Sequence, residues 1–173
     1  LVVLTTDQLI AMETRDVVNL TSTQLNALTS DQVTSLTSDQ VGNLTTAQLK
    51  SLTTSQLTRL NSDQMVALTS AQINVLTTPQ IKSLTTDQLV AIDEADVTKL
   101  ETVQLRALSS DQVASLTTDQ VVALTTEQVI NLQTSQLVAL TTKQIAAMET
   151  GMRMMPTMRP PKLLPMLLMK LVW

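Results

Sequence analysis

The residues with the clearest spacing for metal chemistry are aspartates that recur at intervals of eight residues or a multiple of eight. They are Asp7, Asp31, Asp39, Asp63, Asp87, Asp111 and Asp119. A calcium loop gathers its carboxylates within about a dozen residues around a glycine turn. Here the carboxylates are dispersed, and the chain has only two glycines, Gly42 and Gly151. The spacing therefore favours a structural role for these aspartates and predicts no metal-ligating residue.

Lys50 and Ser51 are the nearest approach to a nucleophile beside a base. The repeat described below puts Lys50 at a variable position and Ser51 at a small-residue position, which does not favour a catalytic pair. The chain has no Cys and no His, so thiolate nucleophiles and the usual general base are missing. It also has no Phe or Tyr, and its one Trp is Trp173. We therefore predict no catalytic residue, no cofactor-binding residue, no small-molecule substrate and no enzymatic activity.

The net charge of −4 is unevenly distributed. Residues 1–149 carry fifteen acidic and seven basic side chains, whereas residues 150–173 carry four basic side chains and no acidic one. An acidic array repels polyphosphate, so we expect no nucleic-acid partner. The apolar stretch at residues 162–173 is shorter than the about 20 residues that a membrane span needs. Membrane contact is therefore expected only as a surface contact of this tail.

Eighteen consecutive octads fill residues 5–148 without an insertion or deletion. Residues 117–132 show two of them, TTDQVVAL and TTEQVINL. Numbered from the first Thr, position one is Thr in twelve octads, and position four is Gln in sixteen, with Asp16 and Asp96 in the others. Position five is always aliphatic or Met, and position eight is Leu in fifteen. Such a short fixed period identifies a repeat protein.

Each octad carries the signals of a helix N-terminus. Thr at position one and Gln at position four have the spacing of a capping box, in which each side chain satisfies a backbone N–H of the other residue. Position eight and the next position five, for example Leu116 and Val121, have the spacing of a hydrophobic staple. Asp at position three suits the dipole of a first turn, and Pro79 occupies this position where a helix tolerates proline. All these signals place the N-cap of the helix at position one of the octad.

These signals predict an all-α solenoid of very short helices, with positions five and eight lining a continuous axial core. One long helix is disfavoured, because eight residues at about 100° each end about 80° beyond two full turns and the apolar stripe would circle the rod. A β-solenoid remains the alternative, since Thr and Val favour strands. Positions five and eight would, however, lie on opposite faces of a strand.

The other positions divide into constrained and free. Position seven is Ala or Ser in twelve octads, which would allow successive turns to approach closely. Position six is variable and is expected to face solvent. Position two is Ser or Thr in seventeen octads. Its hydroxyl either bonds locally to the backbone near the cap or belongs to an exposed ladder that contacts another surface.

Two segments follow from this pattern. Residues 1–149 are predicted to form the solenoid, and the array begins inside an octad, because residues 1–4 match positions five to eight. Residues 150–173 hold four of the five prolines and six of the nine methionines and have no capping pattern. We predict that this basic tail is disordered, or an artefact of the assigned sequence such as a shifted reading frame.

The run LTTDQVVALTTEQV, at residues 116–129, resembles the Thr/Gln-rich short repeats of large bacterial surface exoproteins of the haem-utilisation or adhesion type. The resemblance covers residues 1–149 and excludes the tail. It implies an extracellular or cell-surface location and a non-enzymatic role, and it transfers no site residue. The expected function is therefore a spacer, stalk or filament subunit that associates end to end through its exposed solenoid ends. The alternative is a surface-binding module, for adhesion or ice binding, that uses the Ser/Thr ladder.

Overall fold

The computed structural model describes residues 4–154, with side chains described through residue 150. The described chain consists of eighteen helices joined by short bends and contains no strand. The all-α prediction is confirmed, and the β-solenoid alternative is wrong. The helices are α1 Thr6–Ile10, α2 Thr14–Val18, α3 Ser22–Asn26, α4 Ser30–Ser35, α5 Ser38–Gly42, α6 Thr46–Ser51, α7 Thr54–Leu57, α8 Ser62–Val66, α9 Ser70–Asn74, α10 Thr78–Ser83, α11 Thr86–Ala91, α12 Glu94–Val97, α13 Thr102–Ala107, α14 Ser110–Ser115, α15 Thr118–Ala123, α16 Thr126–Ile130, α17 Thr134–Ala139 and α18 Thr142–Met154.

The bend between octads is formed by two consecutive extended residues. Between α14 and α15, Leu116 has φ −55° and ψ 142°, and Thr117 has φ −67° and ψ 160°. Thr117 then caps α15: its side chain accepts a hydrogen bond from the backbone N–H of Gln120. No described residue adopts a positive φ, so no helix here ends on a left-handed glycine. A chain with two glycines can therefore bend at every octad.

Successive turns of the superhelix stack helix on helix. Each helix contacts the helix three places further along the chain, from α1 on α4 to α15 on α18. Hydrogen bonds between turns also link residues 28 to 31 apart in sequence, such as those from Gln120 to Leu89 and Ile92. One turn therefore takes between three and four octads, and eighteen octads make about five turns.

The apolar side chains form one continuous core along the superhelix axis. Position-five side chains from Leu9 to Leu137 are at most 2% exposed, and position-eight side chains from Leu28 to Leu140 are at most 9% exposed. All of them belong to a single cluster. This confirms the predicted axial core, and it is continuous because each octad contributes its pair to the same line.

Position seven lies where neighbouring turns approach. A Cβ atom built on Gly42, at position six of the fifth octad, would lie 2.7 Å from the carbonyl oxygen of Ala67, at position seven of the eighth octad. Position six is exposed in most octads, as predicted, with Val66 at 66% and Val122 at 41% exposure. At Thr34 and Asn74, however, its side chain donates to a position-seven carbonyl oxygen of the neighbouring turn, that of Arg59 and that of Lys99. Both positions therefore take part in the contact between turns: position seven supplies the carbonyl oxygen, and position six of the neighbouring turn lies against it.

The last helix departs from the octad pattern. Helix α18 has thirteen residues and does not bend after Met148, so it crosses the boundary at residue 149 that the sequence pattern suggests. In the next eight residues, Met152 stands where the capping Gln belongs and Arg153 where the apolar residue belongs. Without these signals nothing starts a new helix. The predictions about the rest of the tail fall outside the described residues.

The glutamine ladder as candidate functional site

The most regular polar feature of the molecule is a column of buried glutamines at position four, which we call the glutamine ladder. Its side chains are at most 6% exposed. Since position four follows the N-cap by three residues, each amide lies at the start of a helix and beside the preceding turn. The ladder comprises Gln32, Gln40, Gln48, Gln56, Gln64, Gln72, Gln80, Gln88, Gln104, Gln112, Gln120, Gln128, Gln136 and Gln144.

Each amide of the ladder uses its two ends differently, as Gln120 shows. Its Oε1 accepts a hydrogen bond of 2.9 Å from the backbone N–H of Thr117. Its Nε2 donates to the carbonyl oxygens of Leu89 at 2.7 Å and Ile92 at 2.6 Å, four octads earlier. One side chain therefore completes the N-terminus of its own helix and bonds the C-terminal end of a helix in the preceding turn.

This double use answers a problem that very short helices create. The last carbonyl groups of a helix have no partner within it, and buried polar groups without partners are costly. In helices of four to six residues, such groups make up most of the backbone. The described residues contain no buried side-chain nitrogen or oxygen atom without a hydrogen-bond partner. The ladder therefore supplies hydrogen-bond partners to helix-end carbonyl groups beside the buried core, such as those of Leu89 and Ile92.

Sequence reasoning predicted only half of this site. The capping-box pattern predicted the hydrogen bond that Oε1 accepts. It did not predict the hydrogen bonds that Nε2 donates to the preceding turn. A signal was present, because a capping box accepts Glu as readily as Gln, whereas no octad has Glu at position four. A carboxylate accepts hydrogen bonds and cannot donate them. The preference for Gln therefore reports a need for a donor.

The ladder is interrupted at the twelfth octad, where position four is Asp96. This side chain is shorter than Gln and, when ionised, cannot donate. Its carboxylate instead accepts a hydrogen bond from the Ser70 hydroxyl on the neighbouring turn. The carbonyls of Met65 and Leu68, which the ladder would reach, accept no side-chain hydrogen bond from the described residues. This octad therefore lacks the hydrogen bonds to the preceding turn that the ladder makes elsewhere.

The first described turn contains two glutamines at position four, and no turn is described before it. Gln8 and Gln24 are exposed. Their Oε1 atoms still accept from Thr5 and Thr21, at 2.8 Å in both cases. Their Nε2 atoms donate to no described residue. The capping bond is therefore a local property of the octad, whereas the bonds of Nε2 depend on the neighbouring turn.

The other residues with potential chemistry lie apart from one another. The position-three aspartates occupy the first turns of their helices and are exposed, as predicted. No group of three or more Asp, Glu, His or Cys in the described chain could hold a metal ion. The Ser51 hydroxyl donates to the Gln48 carbonyl oxygen at 2.7 Å, while Lys50 is exposed. Arg15 pairs with Glu13 at 2.7 Å at the surface, where ion pairs contribute little.

The hydroxyls of position two do not bond to the backbone of their own octad, so that interpretation is wrong. Ser70 bonds to Asp96, and Ser110 donates to the Ser135 carbonyl oxygen at 3.3 Å, both on a neighbouring turn. Other position-two residues, such as Thr54 and Thr126, are exposed, and their hydroxyls bond to no described residue. Because a turn takes three to four octads, successive hydroxyls are distributed around the superhelix.

The model of the ALTTAQ repeat matches the chain at residues 9–46, 43–70, 65–93, 89–126 and 97–134. The overlapping matches cover most of the array. The chain belongs to the ALTTAQ repeat family. The six letters of that name correspond to positions seven, eight and one to four, and residues 67–72, ALTSAQ, come close to them. No curated protein and no solved structure matches the chain.

Membership in the ALTTAQ repeat family establishes a structural repeat protein. It carries no information on a bacterial exoprotein, on haem utilisation or on location, so these remain predictions. None of the described helices has the length and hydropathy needed to cross a membrane.

Proposed function

We propose that this ALTTAQ array is a structural element of an extracellular or cell-surface protein, serving as a spacer, stalk or filament subunit. The observation that carries the proposal is the glutamine ladder. In the interior turns, each position-four amide joins its own turn to the preceding one. The most constrained polar residue of the repeat is thus used to hold the rod together.

A spacer requires length that grows with repeat number. Beyond its neighbours in sequence, each described octad makes its main contacts with octads three and four places away, so the array can be extended without altering the contacts already made. Stacked helices lie about 8 to 10 Å apart, which gives the rise of one turn. Position three is exposed in every octad and varies along the chain, as suits a rod whose surface chemistry is unconstrained.

The filament form of the proposal is end-to-end association. A superhelix has two different ends, and each presents the surface that the next turn would cover. Contacts between unlike ends are heterologous and give open assemblies when the rotation does not close a ring. The extracellular location rests on the resemblance to repeats of bacterial surface exoproteins.

Small-angle scattering on chains of different repeat number tests the spacer. Inserting a second copy of residues 85–140 after Leu140 adds seven octads, or about two turns. We expect the maximum dimension of the monomer to grow by roughly 16 to 20 Å at a constant cross-section. The matched control inserts the same residues in scrambled order, which should give a flexible loop. An inserted repeat that behaves like its scrambled control would contradict the proposal.

Surface binding by the position-two hydroxyls is the second candidate. It is supported by exposed hydroxyls, such as those of Thr54 and Thr126, that have no partner among the described residues. Their winding arrangement suits adhesion to a flexible polymer better than binding to a flat ice lattice. We expect no thermal hysteresis, and its observation would reverse this preference.

A further inference from the structure

The N-terminal end of the superhelix offers hydrogen-bond donors. Gln8 and Gln24 hold their Oε1 atoms in their own capping boxes. Both residues are exposed, their Nε2 atoms donate to no described residue, and both stand at position four, from which the ladder glutamines donate to the preceding turn. This end therefore presents two amide groups whose partners in the interior are always main-chain carbonyls.

The C-terminal end offers the matching acceptors. In the eleventh octad, the carbonyls of Leu89 and Ile92 accept from Gln120. The equivalent carbonyls of the fifteenth octad belong to Val121 and Leu124, and those of the seventeenth to Leu137 and Leu140. None of these four accepts a side-chain amide from the described residues.

Apolar side chains follow the same division. Leu4, Met12 and Leu20 pack against the core at the N-terminal end but are only partly buried. Interior residues at the same position eight are at most 9% exposed. Ile145, at the C-terminal end, is also partly buried, whereas interior position-five residues are nearly inaccessible. The N-terminal end therefore retains apolar surface of the kind that a further turn covers, whereas at the C-terminal end Ile145 alone does so and Met148 is 6% exposed.

We infer that these two ends form one directional joint, in which the first turn of a second copy of this chain takes the place of the nineteenth to twenty-first octads. Gln8 of the second copy then donates to Val121 and Leu124, and its Gln24 to Leu137 and Leu140. The inference rests on the proposed end-to-end association and specifies its register and its groups. The joint is a continuation of the turn-to-turn interface already present.

The twelfth octad explains how the joint accommodates Asp16, which replaces the glutamine of the second octad. Within the array, Asp96 accepts a hydrogen bond from Ser70, at position two of the octad three places earlier. In the joint, the same relation brings Asp16 of one copy to Thr134 of the other. Thr134 is exposed and its hydroxyl bonds to no described residue. Each of the first three octads of the second copy thus finds a hydrogen-bond partner: Gln8 and Gln24 donate to carbonyl groups, and Asp16 accepts from a hydroxyl.

Sedimentation velocity of the full chain and of the Gln24→Glu variant tests the joint. Glu keeps an oxygen for the capping box and removes the amide donor. We expect association to weaken by about tenfold or more, since two hydrogen bonds are lost. The matched control is Thr23→Glu, which adds the same charge at an exposed neighbouring position and should associate like the parent.

A gain of association provides the opposite test. Asp16→Gln supplies the missing amide and should tighten association several-fold, whereas Asp16→Asn, which removes the same charge with a side chain too short to reach, should not. If all variants associate as the parent does, the joint is wrong even where association itself occurs.

Cross-linking tests the direction. The chain has no cysteine, so chains carrying Asp16→Cys can be mixed with chains carrying Thr134→Cys and oxidised. We expect disulfides between residues 16 and 134 of different chains. Pairs joining like residues, or a monomer at every concentration, would overturn the inference. The spacer proposal is judged separately, because the length measurement above is made on the monomer.

Discussion

The twelfth and fifteenth octads differ in one position that matters for the contact between turns. The fifteenth has Gln120, which bonds to three carbonyls of the preceding turn. The twelfth has Asp96, which makes no such bond. Even so, the apolar pair of the twelfth octad is as deeply buried as elsewhere, with Val97 at 1% and Leu100 at 5% exposure. Apolar burial therefore sets the path of the superhelix, and the glutamine then fixes one turn to the next.

The largest effect is expected from placing a carboxylate inside the ladder. Gln120→Glu keeps the capping oxygen but faces three carbonyl oxygens without a donor. Leaving a buried charge unpaired costs about 3 to 5 kcal/mol of unfolding free energy. Gln24→Glu is the matched control, because the same change at an exposed amide should leave monomer stability nearly unchanged. Urea denaturation monitored by circular dichroism compares the two.

The pH dependence of the Gln120→Glu variant sharpens this prediction. Burial would raise the pKa of the new carboxyl above its unfolded value of about 4.3. The loss of stability is then full above the folded pKa and disappears as the pH falls towards the unfolded pKa. The difference in stability from the parent should therefore narrow at low pH. A difference that is constant between pH 7 and pH 4 would show that no buried carboxylate is involved.

The core that both octads share is tested by Leu116→Ala. Leu116 is 6% exposed and belongs to the axial cluster. Removing its side chain should lower the unfolding free energy by about 2 to 5 kcal/mol. Val122→Ala, at a solvent-facing position, should change it by less than about 0.5 kcal/mol. Similar losses in the two variants would mean that the octad phase is misassigned.

The octad pattern predicted the local structure well because capping and core burial depend on residues within one octad or its neighbour. Thr117 and Gln120 form the capping box whatever the turn contains. The number of octads per turn depends on many small bends and could not be read from spacing. The bonds of Gln120 to Leu89 and Ile92 were missed for the same reason. The position-two hydroxyls were misjudged because local bonding was assumed where solvent competes equally.

A smaller effect is expected at the closest approach between turns. Gly42→Ala would place a Cβ atom 2.7 Å from the Ala67 carbonyl oxygen, and this backbone atom can give way only if the turn moves. The strain should cost about 1 to 3 kcal/mol, although Ala is the better helix former. Ala146→Gly, at an exposed position six of the last octad, is the reference for the propensity effect alone. If Gly42→Ala proves stabilising, neighbouring turns are more widely spaced than described.

A further small effect is a gain, and it repairs the difference between the two octads. Asp96→Gln would restore an amide able to reach the carbonyls of Met65 and Leu68, at the loss of the bond from Ser70. Each hydrogen bond contributes about 0.5 to 1.5 kcal/mol, so we expect a net stabilisation of about 1 kcal/mol in urea denaturation. Asp96→Asn removes the same charge with a shorter side chain and should not stabilise.

The same substitution in the second octad, Asp16→Gln, separates the stabilisation due to turn-to-turn hydrogen bonds from the effects of charge and helix propensity. Asp16→Gln alters the same residue type at the same position, but no preceding turn is described there to accept the amide. We expect the stability of its monomer to stay within about 0.5 kcal/mol of the parent. If both substitutions stabilised equally, the gain would come from within the octad. The glutamines would then act as caps alone, and the ladder would have no part in joining the turns.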